Sequence, residues 1–600
     1  MNRVPKILKK SGVEETYSTD KIVKAVNKSA ERAIYRRFTT EENEAIVKNI
    51  EDRIEANNLD RITIDVMHGL VENALDKVCP EACNEYKKYR NWKQLFAEDY
   101  AEVYEEVNQL NYRGDKDNAN TDSSLVSTRK SMGYAILSKK LYQRFFLTDK
   151  ELQMCKDGYI YIHDMSSRRD TFNCCLFDIE NVLTGGFEMG NIFYNEPKSL
   201  DVAFDVIGDI VLSTASQQYG GFTLPQIDKV LEKYAWKSYD MYCNEYDEIA
   251  GGLTEDNDTL NPYAEYDYTT GKVSSIDPNA KKYFEKRDAY AMKKVRREFE
   301  QGFQGWEVKF NTVASSRGDY PFISVTSGLN TSKFGKMCNI AMFKVRQEGQ
   351  GKPGHKKPVL FPKIIFLYDE NIHKPGEDIF EAALTCSMKA MYPDWLSLTG
   401  EGYISDMYKK YGEVISPMGC RAFLSPWWRR GGMKPADEND TPVYVGRFNM
   451  GVVSLNLPMI LARAREEDRD FYEVLDEYME TIRFIHKRTV DYLGEMKAYS
   501  NPVSFCWGGL YGGNLQLNDK IAPLLKSATA SFGITALNEL QELYNGKSIA
   551  EDGEFALEVM KYINDKIAQY KEEDGILYAI YGTPKPIGWR KGDLTKNLPR

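Results

Sequence analysis

The stretch Ser416–Trp427 reads SPMGCRAFLSPW. It sets one cysteine, Cys420, between a glycine and an arginine, with apolar residues on both sides. No second cysteine stands nearby to pair with it, and no histidine is close enough in sequence to activate it. Ionic thiolate chemistry needs a depressed pKa or a neighbouring base, and the flanking residues offer neither. Two readings remain. Cys420 is either a buried core thiol or a chemical one.

The whole chain narrows the choice. Its 600 residues are too many for one small core. A hydrophobic share of 42% and an aromatic share of 12% favour a packed fold over disorder. No run of roughly eighteen apolar residues reads as a membrane span. The opening MNRVPKILKK has no apolar signal-peptide region, so the expected location is cytoplasmic. A net charge of -10 argues against nucleic acid as the main partner. The ten cysteines are scattered with no CxxC pair, so neither a zinc site nor a disulfide framework is expected.

Residues 1–95 read as a compact unit. Ser11-Gly12 between two short runs predicts a hairpin. Thr19 and Asp20 are expected to cap a helix with Ile22, Val23, Val26 and Ala30 on its apolar face. Thr40 and Thr63 start two more, the second ending near Cys79-Pro80. EACNEYKKYRNWKQL makes a fourth. Lys6, Lys9, Lys10 and Lys21 gather at the hairpin, which alone reads as a solvated positive face. With Glu15 and Thr19-Asp20-Lys21-Ile22 behind them, however, the segment resembles the ATP-cone, a regulatory nucleotide-binding module. That resemblance implies that Ile7, Lys9, Lys10, Glu15, Ser18, Lys21 and Thr63 contact ATP or dATP. Lysines would meet the phosphates as point charges, and Thr63 would add a helix start.

From residue 96 onward no linker divides the chain. NYRGDKDNANTDSS (111–124) and the acidic stretch 248–282 read as loops. Strand-length apolar runs alternate with helical stretches, which predicts a mixed α/β architecture. TASFGITAL (529–537) reads as a Ser/Thr turn opening a helix. Such a turn exposes N–H groups and hydroxyls to phosphate. Thr529, Ser531 and Gly533 are therefore the triphosphate candidates.

Four stretches in order, YIYIHDMSSRRDTFNCCLF (159–177), FNTVASSRGDYPFISVTSG (310–328), SPMGCRAFL followed by GRFNMGVVSLNLP (446–458), and SATASFGITALNEL (527–540), resemble the anaerobic, class III ribonucleoside-triphosphate reductases. The likeness runs from residue 4 to 584 and implies a ten-stranded α/β barrel with a central cysteine loop over 96–584. It also implies that Cys420 becomes a thiyl radical. Cys174, after Phe172-Asn173, would face the 2′ side of the ribose and supply a hydrogen. Asn449 would be the polar group beside the radical. Cys175, at the opposite alternation, is expected to point into packing. His163 and Asp164 match a family pair, with a satisfied core histidine as the plain reading.

The resemblance further implies dNTP effectors, formate or a dithiol as reductant, a radical-SAM activating enzyme and a homodimer. Relatives carry a tail with two zinc-binding cysteine pairs and a radical glycine in an Arg-x-x-Gly-Tyr setting. Here YGTPKPIGWRKGDLTKNLPR stands in that place, with neither feature. Residues 585–600 are thus expected to be a basic tail, and the glycyl radical to come from a separate short polypeptide. Two alternatives stand beside this reading. A formate acetyltransferase-like enzyme is disfavoured by the single cysteine on the central loop. An inactive nucleotide-binding relic is favoured only by the tail.

Overall fold

A hairpin followed by capped, amphipathic helices should fold into a small unit with its own core, and it does. The computed structural model describes residues 5–8, 13–90, 92–113, 124–253, 266–267, 272–273, 278–312, 320–419 and 422–582. Strand β1 (Lys6–Leu8) pairs antiparallel with β2 (Glu14–Thr16). The turn between them, including Lys9 and Lys10, lies outside the described residues.

Helix α1 (Thr19–Ile34) is capped one residue earlier than expected. Ser18 is extended and its hydroxyl accepts the Lys21 N–H, while Thr19 and Asp20 are already helical. Helix α2 (Thr40–Ala56) opens with a capping box between Thr39 and Glu42. A third strand, β3 (Arg61–Thr63), was not foreseen; it runs parallel to β1. It leads into α3 (Ile64–Val78), capped by Thr63, and then α4 (Pro80–Arg90). Val26, Ile46, Ile50, Ile54, Ile62 and Leu75 form a core distinct from that of the remaining chain. Each buried isoleucine contributes about 1.5–3 kcal/mol relative to exposure.

The larger part is built on one sheet. Its strands are β4 (Ile160–Ile162), β5 (Cys175–Leu176), β6 (Phe222–Leu224), β7 (Ile323–Ser327) and β8 (Lys363–Tyr368). They continue with β9 (Asp394–Ser397), β10 (Arg447–Asn456), β11 (Thr529–Thr535) and β12 (Leu577–Gly582). The spatial order is β9-β8-β7-β6-β5-β10-β11-β12, with β4 also on β10. Strands β5 to β9 are mutually parallel, and so are β10 to β12. The two sets meet antiparallel where β10 pairs with β5. Nine strands stand in this sheet among the described residues, against the ten expected.

Every residue of β7, β10 and β11 is buried. Sheets covered on both faces show no polar/apolar alternation, which matches these sequences. Helices Ile227–Leu253, Pro278–Phe310, Lys333–Glu348 and Asp378–Ala390 supply the crossovers of the first set. A second, smaller cluster joins Cys174 and Leu176 to Ile415, Met418, Ala422 and Leu424, from the loop that precedes β10. Among the described residues, no helix is long and apolar enough to cross a membrane. The ends of the acidic stretch expected as a loop, 248–253 and 278–282, are helical; between them the described residues are a two-residue pairing of Lys272–Val273 with Tyr266–Asp267.

Candidate active site

Cys420 and Arg421 lie outside the described residues, but both flanks of their loop are placed. The Met418 N–H donates to the Ala422 carbonyl at 2.9 Å, which holds the two flanks together. Behind them, the Ser416 and Thr326 hydroxyls are 3.1 Å apart, fixing the loop to β7. Gly419 is pressed against the sheet. A Cβ on it would lie 2.7 Å from Ser324 Oγ and 3.0 Å from the Phe322 ring. A Cβ on Gly221 would lie 3.3 Å from the Gly419 Cα. Small residues at both positions let the loop approach this closely.

Gly221 also joins the loop to the second thiol. Its N–H donates to Cys174 Sγ at 3.0 Å, and the thiol is 3.1 Å from Asn173 Oδ1. Gly419 is thus seated against Gly221, the hydrogen-bonded partner of Cys174. Cys175 points the other way, toward Gln218 Oε1 at 3.1 Å and into the main core. Burial pushes its thiol up to about 12, as expected for packing rather than chemistry.

Asn449 is tied to Cys174 through the backbone. Its N–H donates to the Cys174 carbonyl at 2.7 Å, and its own carbonyl accepts the Asn173 N–H at 2.9 Å. Its side chain is held at both ends. Nδ2 donates to Ser531 Oγ at 2.6 Å, and Oδ1 accepts the Gly451 N–H at 2.7 Å. Gly451 has φ 149° and sits where the register with β11 shifts, so a bulge aims the asparagine.

The stretch from Thr529 corrects the sequence reading. Thr529, Ser531 and Gly533 do not open a helix. They lie on β11, between β10 and β12, with Thr529 and Ser531 almost fully buried. The strand's backbone takes part in ladders on both sides, and a helix starts only at Leu537, after Ala536 at φ 64°. The exposed helix start from which the phosphate role was expected is therefore not found at these residues. Ser531 instead holds Asn449, and Thr529 Oγ1 accepts from Arg447 Nη2 at 3.5 Å.

Arg447 is a site residue that sequence reasoning missed. It is fully buried, and burial lowers its pKa to about 9. Nε and Nη2 donate to the Ser527 carbonyl at 3.1 and 2.7 Å, and Nη1 donates to the Ser425 carbonyl. It therefore staples the descending limb of the cysteine loop to the start of β11. The only sequence signal was its place in GRFN. The Gly220-Gly221 pair was missed too, although two adjacent glycines before a strand mark a close backbone approach.

Two histidines lie behind the site. His163 Nε2 meets Ser454 Oγ at 2.7 Å, which fits the satisfied reading. His486 Nε2 is 3.1 Å from the Ser531 carbonyl and so must donate to it. Burial first, then the Arg168 charge, lowers the His486 pKa to about 3. The unfolded chain then takes up a proton near pH 6.5 that the folded protein refuses. Stability falls as pH drops from about 6.5 toward 3, by about 1.4 kcal/mol per pH unit for this group alone. Urea midpoints of wild type and His486→Gln should diverge in slope across that window. Parallel curves would refute the assignment.

In the N-terminal unit the strand registers bring the nucleotide candidates together. Ile7 pairs with Glu15 on one side and Ile62 on the other, and Leu8 pairs with Thr63. Lys21 Nζ is 2.7 Å from Glu15 Oε2, and both Ser18 and Thr63 are helix caps.

The larger part is thus an α/β sheet in which the loop around Gly419 packs near the buried Cys174 thiol, preceded by a small unit with its own core. The family model for anaerobic ribonucleoside-triphosphate reductase matches residues 117–585, and the ATP cone domain matches 5–95. The chain belongs to the anaerobic ribonucleoside-triphosphate reductase family, which reduces ribonucleoside triphosphates to deoxyribonucleoside triphosphates. It is 28% identical to the Haemophilus influenzae enzyme over 596 residues, covering 96% of this chain and 76% of that one. Against the enterobacteria phage T4 enzyme it is 29% identical over 500 residues, covering 80% and 73%. A solved anaerobic ribonucleotide reductase superposes with a TM-score of 0.51 at 14% identity, covering 84% and 75%, and supports the fold.

Proposed function

We propose that Cys420 is the hydrogen-atom abstractor of this reductase and that Cys174 is its partner thiol. The seat of Gly419 against Gly221, whose N–H holds Cys174 Sγ, supports this reading above all. Cys420 takes the hydrogen from C3′ of the ribose. Cys174 gives a proton to the departing 2′-hydroxyl, which leaves as water. Asn449, held by Ser531 and Gly451, presents a fixed polar group beside that exchange. The chain's contribution is position and exclusion of water.

Formate is the proposed reductant. The balance is then ribonucleotide, formate and one proton giving deoxyribonucleotide, carbon dioxide and water. The apolar packing of Met418, Ala422 and Leu424 suits a site where a thiol radical must survive. A glycyl radical, made by a radical-SAM activating enzyme and expected on a separate short polypeptide, would supply the hydrogen-atom acceptor for the Cys420 thiol. Ile7, Glu15, Ser18, Lys21 and Thr63, with Lys9 and Lys10 from the hairpin turn, hold ATP or dATP in the cone. The working form is a cytoplasmic homodimer.

The test is anaerobic turnover of the activated enzyme with a ribonucleoside triphosphate and carbon-labelled formate. Labelled carbon dioxide should appear mole for mole with deoxyribonucleotide. Product formed without labelled gas would remove formate from the scheme.

A further inference from the structure

The cone is not merely tethered to the reductase; it touches helix Phe471–Gly494 through Tyr35 and the neighbouring segment Phe145–Asp149 through Arg32 and Lys88. Tyr35 is the C-cap of α1, at φ 57°. A tyrosine tolerates that left-handed conformation only at a cost, and the position fixes where its ring points. The ring stacks on Phe484 with centroids 4.5 Å apart and planes 10° from parallel. Burial and the Glu151 carboxylate both raise the pKa of its hydroxyl. Around it, Arg488 pairs with Glu151, Arg32 Nη2 donates to the Phe145 carbonyl at 3.1 Å, and Lys88 pairs with Asp149. Phe484 and Arg488 are one helical turn apart, on the face turned to the cone.

The other face of the same turn belongs to the active site. His486 donates to the Ser531 carbonyl, and the Ser531 hydroxyl accepts from Asn449. Thr489 Oγ1 accepts from Arg168 Nη2 at 3.3 Å, and Arg168 Nη1 donates to the Val452 carbonyl at 3.2 Å. Arg168 also fills the space beside Gly451, where a Cβ would lie 2.3 Å from Nη1. Both routes end at the bulge that aims Asn449.

We infer that the Tyr35–Phe484 stack is the contact through which nucleotide occupancy in the cone is transmitted to the active site. Helix Phe471–Gly494 acts as the rigid element between them. A small shift of α1 on binding moves Phe484 and Arg488, and the helix carries that shift to His486 and Thr489. Packed elements move as units rather than deforming continuously, so a sub-ångström change at the seam is not absorbed within the helix. The inference rests on the cone binding an adenine nucleotide, which is measured separately.

The experiment uses the full chain with ATP or dATP. Calorimetry reports binding, and hydrogen–deuterium exchange reports amide protection along residues 471–494. Nucleotide should change protection of that helix in wild type. Tyr35→Ala and, from the other side, Phe484→Ala should abolish the change while keeping nucleotide affinity within about twofold, since neither residue is among the nucleotide contacts. In the activated enzyme the same variants should lose the difference in rate between ATP and dATP. Binding without any change in the helix of the wild type overturns the inference, as does a change that persists in both variants. No binding to wild type overturns the cone reading itself, and the inference with it.

Discussion

Exchanging Cys420 for alanine should leave nucleotide binding intact and reduce deoxyribonucleotide formation to background, a fall on the order of 10⁴-fold or more. The reasoning does not depend on a pKa. No base stands near Cys420 in the sequence, and a hydrogen-atom abstractor needs none. Cys420→Ser is expected to fail equally, because an alkoxyl radical is far harder to form than a thiyl. Product is followed by chromatography under anaerobic conditions, with calorimetry on the same preparation. Turnover surviving in the alanine variant would end the assignment of Cys420, whatever its neighbours suggest.

The second large effect concerns a residue that carries no functional group. A Cβ on Gly220 would lie 1.9 Å from Asn173 Oδ1, 2.6 Å from Cys174 Sγ and 2.9 Å from the Asn173 carbonyl carbon. The last of these is backbone and cannot rotate away. Gly220→Ala must therefore displace Cys174 from its hydrogen bond with the Gly221 N–H. A misplacement of about 1 Å at a reacting group costs on the order of 100-fold in rate. The variant should lose about that much kcat with a small change in KM, and its thermal midpoint should fall by only a few degrees. A kcat within threefold of wild type would mean that the Cys174 position is not what limits the reaction.

The N-terminal unit was largely legible because its helices carry a clear apolar stripe and Ser/Thr caps. Strand β3 escaped because three residues, Arg61–Thr63, run directly into a helix cap. The reading of Thr529–Thr535 failed for a different reason. All seven residues are buried, so the two-residue alternation that marks a strand is absent, and the following helix drew the Ser/Thr pattern into itself. Motif wording pointed to Cys420, Cys174 and Asn449. It could not reveal Arg447 or Gly220, whose roles depend on segments far away in sequence. Ser425, Ser527 and Cys174 become their neighbours only once the sheet is assembled.

Strand β10 sets the order in which that sheet can be completed. Among the described residues it is the one strand bonded to β4, β5 and β11 together, and His163 waits 291 residues for its Ser454 partner. At about 5–20 residues per second, a ribosome takes roughly 15–60 s to make that interval. Throughout it, β4 and β5 exist without the strand that closes them, and the apolar face beside Cys174 has no loop to cover it. High contact order of this kind slows folding and exposes strand edges. The nascent chain is therefore most open to aggregation in the interval before residue 456 leaves the exit tunnel, and a chaperone that binds exposed apolar strands would act there.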